Sequence, residues 1–230
     1  MFGRRTRRLA VLGAAGVGAC AVLAACSPVK AGAAAIVGDQ RITVSSLDTQ
    51  VQNLQTAAKP YGSQIQLTTA EMPNAVLSWL IRFAIQDQAT ATAGITVTQA
   101  QIDAGIASIN SQAASAASQE GLNSGQAALL NAGVSPQMLP ALGRYQAQEI
   151  AYAEQVNGGK LPTTTAENNT VTAALTKSQC TAAKSLNIQV SPQFGRLDYS
   201  QYTVVAAPNT LSQLPGVPSP ASTTGLAPAC

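Results

Sequence analysis

The 230-residue sequence contains no histidine. That absence removes Ser-His-Asp triads, Cys-His dyads and most zinc sites, each of which needs an imidazole as base or ligand. Charged residues make up only 10% of the chain, and beyond the N-terminus no block of like charge remains to hold a polyanion. No internal repeat is visible, and the abundant Ser and Thr include no G-x-S-x-G nucleophile elbow. Asp39, Asp48, Asp87, Asp103 and Asp198 are scattered, as are the five glutamates. No spacing among them predicts the paired carboxylates of acid-base chemistry. The residues therefore argue against an enzyme, and no cofactor is expected apart from a covalent lipid.

What is present begins at the N-terminus. Arg4, Arg5, Arg7 and Arg8 precede Leu9 to Ala25, an uncharged run of Ala, Gly, Val and Leu with Cys20. Positive, then apolar, then small is the layout of a bacterial secretory signal. The alternative is a retained anchor. Against it, seventeen residues are short for a span, and glycines at 13, 16 and 18 weaken a helix. The run ends in Leu23-Ala24-Ala25-Cys26, which looks like a lipobox, the site where lipoprotein signals are cut and the new N-terminal cysteine is lipidated. The expectation is a signal peptide over residues 1–25, lipidation at Cys26 and a tether over 26–34. The chain would then sit on the extracytoplasmic face of a membrane, held by acyl chains worth about 0.8 kcal/mol per buried methylene.

Removing the leader leaves nine basic against ten acidic residues, so the positive net charge of the whole chain is no sign of a nucleic-acid partner. Beyond Cys26 only Cys180 and Cys230 remain. In an oxidising compartment two leftover thiols read as a disulfide, and a ring of about fifty residues could contribute up to roughly 4 kcal/mol. The alternative is two free thiols.

Hydrophobic spacing predicts a mainly α domain over residues 35–206, with a Pro/Ser/Ala-rich tail over 207–230. Lys30 to Ala35 reads as a small-residue tether. Ala35-Ile36-Val37 and Arg41-Ile42-Thr43 flank Gly38-Asp39-Gln40 as a short hairpin. Ser45 with Asp48 suggests a cap for a first helix carrying Leu47, Val51, Leu54 and Ala58, stopped at Lys59-Pro60. A central helix runs to Ala93. Val76, Leu77, Trp79, Leu80, Ile81, Phe83, Ala84 and Ile85 cover most of its circumference, leaving Ser78, Arg82 and Gln86 as a polar strip. Gly94-Ile95 resembles a Schellman end. Thr98 with Gln101 caps a third helix, and Leu122 to Asn131 forms a short one. Ser135-Pro136 opens the helix carrying Leu139, Leu142, Ala147, Ile150 and Val156. A last helix carries Val171, Leu175, Ala183 and Leu186. Asn187 to Val190 and Tyr202 to Val205 read as strands.

Three of these stretches together resemble the SurA-like N-terminal chaperone domain. Ile36 to Thr43 followed by Ser46-Leu47 is similar to its opening hairpin. Val76 to Ala93 with Gly94-Ile95-Thr96-Val97-Thr98 is similar to its long second helix and the link after it. Val190-Ser191-Pro192-Gln193-Phe194-Gly195 resembles its late strand. The resemblance spans about residues 33–205. Gln193 stands where the family often has arginine, and Leu197 where related lipoproteins often have tryptophan. It implies about five helices, with a small β element joining the N-terminal hairpin to a C-terminal strand, as in SurA N-terminal and trigger-factor-like peptide-binding domains. Larger members such as SurA and PrsA insert a parvulin isomerase domain before the last helix. Gly158 to Thr165 leaves no room for one, and the chain lacks the histidines that parvulin sites use.

The resemblance implies an ATP-independent chaperone or peptide-binding lipoprotein for unfolded or extended exported polypeptides. Trp79 and Phe83, one turn apart, are candidates to line its binding surface, joined by Tyr145 and Tyr152. The alternative for all four is ordinary packing. A second functional reading is an envelope lipoprotein that docks one fixed partner. A transporter's solute-binding component would need a larger two-lobed α/β chain.

Overall fold

The computed structural model describes residues 31–206. The expected leader, Cys26, the tail and Cys230 lie outside them. The polypeptide begins with a hairpin, β1 (Ala33–Val37) and β2 (Gln40–Thr43), turned by Gly38 and Asp39. Gly38 has φ +58, a left-handed conformation that glycine adopts without a Cβ penalty. Part of the expected tether is thus structural. Ala33, Ala34 and Ala35 are buried, because β1 is the middle strand of its sheet and only small side chains fit beneath the helices.

Thr43 ends β2 and caps α1 (Val44–Ala58), its hydroxyl accepting a 3.0 Å hydrogen bond from the Ser46 amide. This corrects the cap expected at Ser45: the chain is still extended at Thr43, so the helix starts two residues earlier. The α1 stripe of Leu47, Val51, Leu54 and Ala58 is buried as its spacing predicts. A 3-10 stretch at Lys59–Gln64 contains Pro60 and ends the helix.

The central helix is α2 (Met72–Thr92). Its end is the Schellman motif that Gly94-Ile95 implies: Ile95 donates to the Thr90 carbonyl at 2.9 Å and Gly94 to Ala91 at 3.1 Å. Leu77 and Ile81 on this helix, with Leu47 and Leu54 of α1, are fully buried. Each contributes about 1.5–3 kcal/mol by leaving water. The expected polar strip is not a solvent face, since Ser78 and Gln86 are buried. A C-terminal hairpin covers part of it: β4 (Arg196–Asp198) pairs with β5 (Thr203–Val205), and the Val204 amide donates to the Ser78 hydroxyl at 2.8 Å.

Capping boxes open two further helices, α3 (Gln99–Glu120) through Thr98 and Gln101 and α6 (Thr165–Ser185) through Thr164 and Glu167. Between them, α4 (Gly125–Asn131) is capped by Ser124, and α5 (Leu139–Val156) follows a 3-10 turn at Pro136–Met138. Ser135 precedes that turn, but its side chain makes no cap hydrogen bond, because the tighter 3-10 turn replaces the first α turn. Helices α3 and α5 pack closely through two glycines: a Cβ on Gly105 would lie 2.4 Å from the Gly143 carbonyl oxygen.

The two ends of the described chain meet in one sheet. Strand β3 (Gln189–Val190) pairs antiparallel with β1, placing Val190 opposite Ala35, and the strand order is β2-β1-β3. Ile42 faces the same Ala35 from the other side. Six helices and a small antiparallel β element give the mainly α fold that the spacing predicts. Among the described residues no helix is long and apolar enough to cross a membrane.

Candidate functional site

Three of the four candidate aromatics converge. Trp79 and Phe83, a turn apart on α2, stack at 5.7 Å between ring centres, and Tyr145 of α5 meets them at 6.2 and 6.1 Å. The Trp79 and Tyr145 rings are perpendicular, the edge-to-face geometry that the aromatic quadrupole favours. Two further contacts hold the indole in place. Its Nε1 donates to the Ala132 carbonyl at 2.8 Å, at the end of α4, and the Arg82 guanidinium lies 5.0 Å over its ring.

Trp79 and Tyr145 form part of the walls of two clefts. One is a groove of about 430 Å³ between α2, α3, α4 and α5. Its alanines, Ala113, Ala116, Ala128 and Ala132, leave the space that Trp79, Leu129, Leu142 and Tyr145 enclose. Small residues where helices face one another are what make an opening here rather than a filled core. The other cleft, about 270 Å³, lies toward α6 and is lined by Arg82, Gln179, Tyr199 and Tyr202 as well as Trp79 and Tyr145. Phe83 packs in the trio but lines neither cleft.

Tyr152 is not with the others. It sits two turns along α5, lines a separate cleft with Ala89, Ala174 and Lys177, and its hydroxyl donates to the Ala174 carbonyl at 3.3 Å. Seven residues separate it from Tyr145, close to two full turns, so both share a helix face but reach different neighbours. Tyr152 bridges α5 to α6 outside the aromatic trio. Roomier clefts of about 510 and 500 Å³ flank α6, but Asp39, Gln40, Asp87 and Gln88 line the first and Lys177, Ser178 and Thr181 the second. Neither has an aromatic cluster.

Sequence spacing did not single out the acidic side chains of the aromatic groove. Glu149, one turn beyond Tyr145, and Glu120, at the end of α3, both line it. Burial holds the Glu149 carboxyl above the ordinary carboxylate range, against a hydrogen bond from the Tyr145 hydroxyl that lowers it. The Tyr145 hydroxyl is pushed above the usual tyrosine range, by burial first and by Glu149 second. Behind them Gln179 Nε2 donates to fully buried Gln86 Oε1 at 2.9 Å and reaches the Tyr145 hydroxyl at 3.5 Å. An i, i+4 Tyr-Glu pair on a helix bordering an alanine-rich neighbour was the available signal.

Cys180 on α6 is buried and disulfide-bonded. Cys230, the partner expected for it, lies outside the described residues. No group of Cys, Asp and Glu among the described residues is arranged to hold a metal ion.

Six helices surround a small sheet that joins the N-terminal hairpin to a late strand, and a mainly apolar groove opens beside the central helix. The SurA-like N-terminal domain family matches residues 9–148, more than half of the sequence, and the chain belongs to that family. Its domain is of the chaperone type and non-catalytic. The match takes in β1 to most of α5, including Trp79, Phe83 and Tyr145, and stops before α6 and the late strands. No curated protein and no solved structure matches the chain.

Proposed function

We propose that this chain is a membrane-anchored extracytoplasmic lipoprotein that holds unfolded or extended segments of exported polypeptides without ATP. The observation that carries this reading is the groove walled by Trp79 and Tyr145. It is apolar, open to solvent, and at about 430 Å³ within the range of about 300–1,000 Å³ usual for sites that bury a ligand. An extended client would gain by burying apolar side chains over the alanines, with polar groups at the rim to meet its backbone. Family membership supports the same reading. The lipobox-like Leu23-Ala24-Ala25-Cys26 supports the anchor, and the arginines before it support export of the chain through a signal peptide.

The test is suppression of aggregation of a chemically unfolded protein by the full chain held in lipid nanodiscs, without nucleotide. Suppression well above that of empty discs is expected. Suppression equal to theirs would sink the chaperone reading and leave docking of one fixed partner, which a pull-down would show as a single stoichiometric protein. The anchor is tested separately: a palmitate analogue should label the wild-type chain and leave Cys26→Ala unlabelled.

A further inference from the structure

The groove beside Trp79 carries charge of one sign only. Glu120 and Glu149 line it, and no lysine or arginine does. Glu149 is half-buried, and its hydrogen-bond partner is the neutral Tyr145 hydroxyl. Arg82, the cation next to the aromatic trio, is committed elsewhere, over the Trp79 ring and to the Gln201 carbonyl at 2.8 Å. The one ion pair among the described residues joins Arg144 to Asp87, which do not line this groove. A partly desolvated carboxylate without a cation is costly, and a cation arriving with apolar surface recovers part of that cost. One hydroxyl donor also leaves much of a carboxylate's acceptor capacity unused.

We propose, building on the polypeptide-binding reading, that this groove selects extended segments carrying a lysine or arginine beside apolar residues. The cation reaches Glu149, with Glu120 adding to the field from the α3 rim, while the apolar neighbours fill the space over Ala113 and Ala116. An acidic segment is rejected by the same two carboxylates, so the groove discriminates by repulsion as well as attraction. The burial that raises the Glu149 pKa also lowers the local dielectric, which strengthens an ion pair formed there.

The experiment uses the full chain in lipid nanodiscs and three fluorescent peptides, identical and apolar except for one central residue, Arg, Gln or Glu. Anisotropy should give an Arg peptide bound on the order of tenfold tighter than the Gln peptide, the scale of one favourable charge contact. The Glu peptide should bind more weakly than both. Glu149→Gln keeps the shape and the acceptor for Tyr145, so it should draw the Arg-to-Gln ratio towards one, and that ratio is read independently of any change in the Gln-peptide affinity. Two results overturn the selectivity and leave the groove reading standing: a wild-type ratio of one with the Gln peptide bound, or a ratio that survives both Glu149→Gln and Glu120→Gln. If no peptide binds and Trp79 emission stays unchanged, the polypeptide-binding reading fails, and the selectivity with it.

Discussion

Gly105 on α3 and Gly143 on α5 touch backbone to backbone. A Cβ on Gly105 would sit 2.4 Å from the Gly143 carbonyl oxygen, and one on Gly143 would sit 2.3 Å from Ile106 Cγ1. Each glycine costs its helix about 1 kcal/mol relative to alanine. Here that cost permits the close approach of the two helices that border the aromatic groove.

Gly105→Ala should therefore destabilise the domain, although alanine is the better helix former. The clash is with backbone, which cannot swing aside as a long side chain would, and overpacking of this kind costs about 1–3 kcal/mol. Denaturant unfolding measures it. An unchanged or raised midpoint would mean that the helices separate at little cost.

Filling the groove should weaken binding without harming the fold. Ala116 on α3 lines the opening and is partly exposed. Ala116→Leu adds volume where the client would lie, and a change within about 0.5 kcal/mol of stability is expected at such a position. Client binding followed by emission of the single tryptophan should weaken at least several-fold. Full retention of binding would move the client site away from this groove.

Ser78 ties the C-terminal hairpin to the central helix. Its hydroxyl accepts from the Val204 amide at 2.8 Å and donates to the Asn74 carbonyl at 2.6 Å. Ser78→Ala leaves a buried N–H without its partner, an omission that costs about 1–3 kcal/mol. Hydrogen exchange at the Val204 amide should accelerate. Unaltered protection there would show that the hairpin is held by packing alone.

Stability should respond to pH through Glu149. Its folded pKa is raised, so the folded state favours the protonated carboxyl and ionisation works against folding as pH rises through that value. Burial is the larger cause, and the hydrogen bond from Tyr145 on its own helix opposes it. Glu149→Gln should unfold at higher denaturant than wild type at neutral pH. The gap should close as pH falls below the ordinary carboxylate range, where both side chains are neutral. A gap independent of pH would assign the effect to packing.

Helices were legible, and two of their ends, because those signals are local, whereas the caps expected at Ser45 and Ser135 did not form. Thr98 with Gln101, the Gly94-Ile95 end and the α1 stripe each lie within a few residues, and each formed as read. The trio of Trp79, Phe83 and Tyr145 was half legible: the α2 pair follows from helical spacing, whereas Tyr145 joins by tertiary packing that its own spacing shares with Tyr152. The burial of Ser78 and Gln86 was illegible, because the groups that meet the Ser78 hydroxyl and Gln86 Oε1, on Val204 and Gln179, lie far away in sequence. Ala33 and Ala34 were misread as tether for a related reason. Small residues look like a linker until the sheet that needs them is known.

The sheet order has a consequence for the chain as it is made. Strand β1 emerges early, yet its second neighbour, β3, follows only after all six helices. Until then one edge of β1 is an unpaired row of amides and carbonyls, open to any passing strand. The nascent chain thus carries an open strand edge through the synthesis of all six helices.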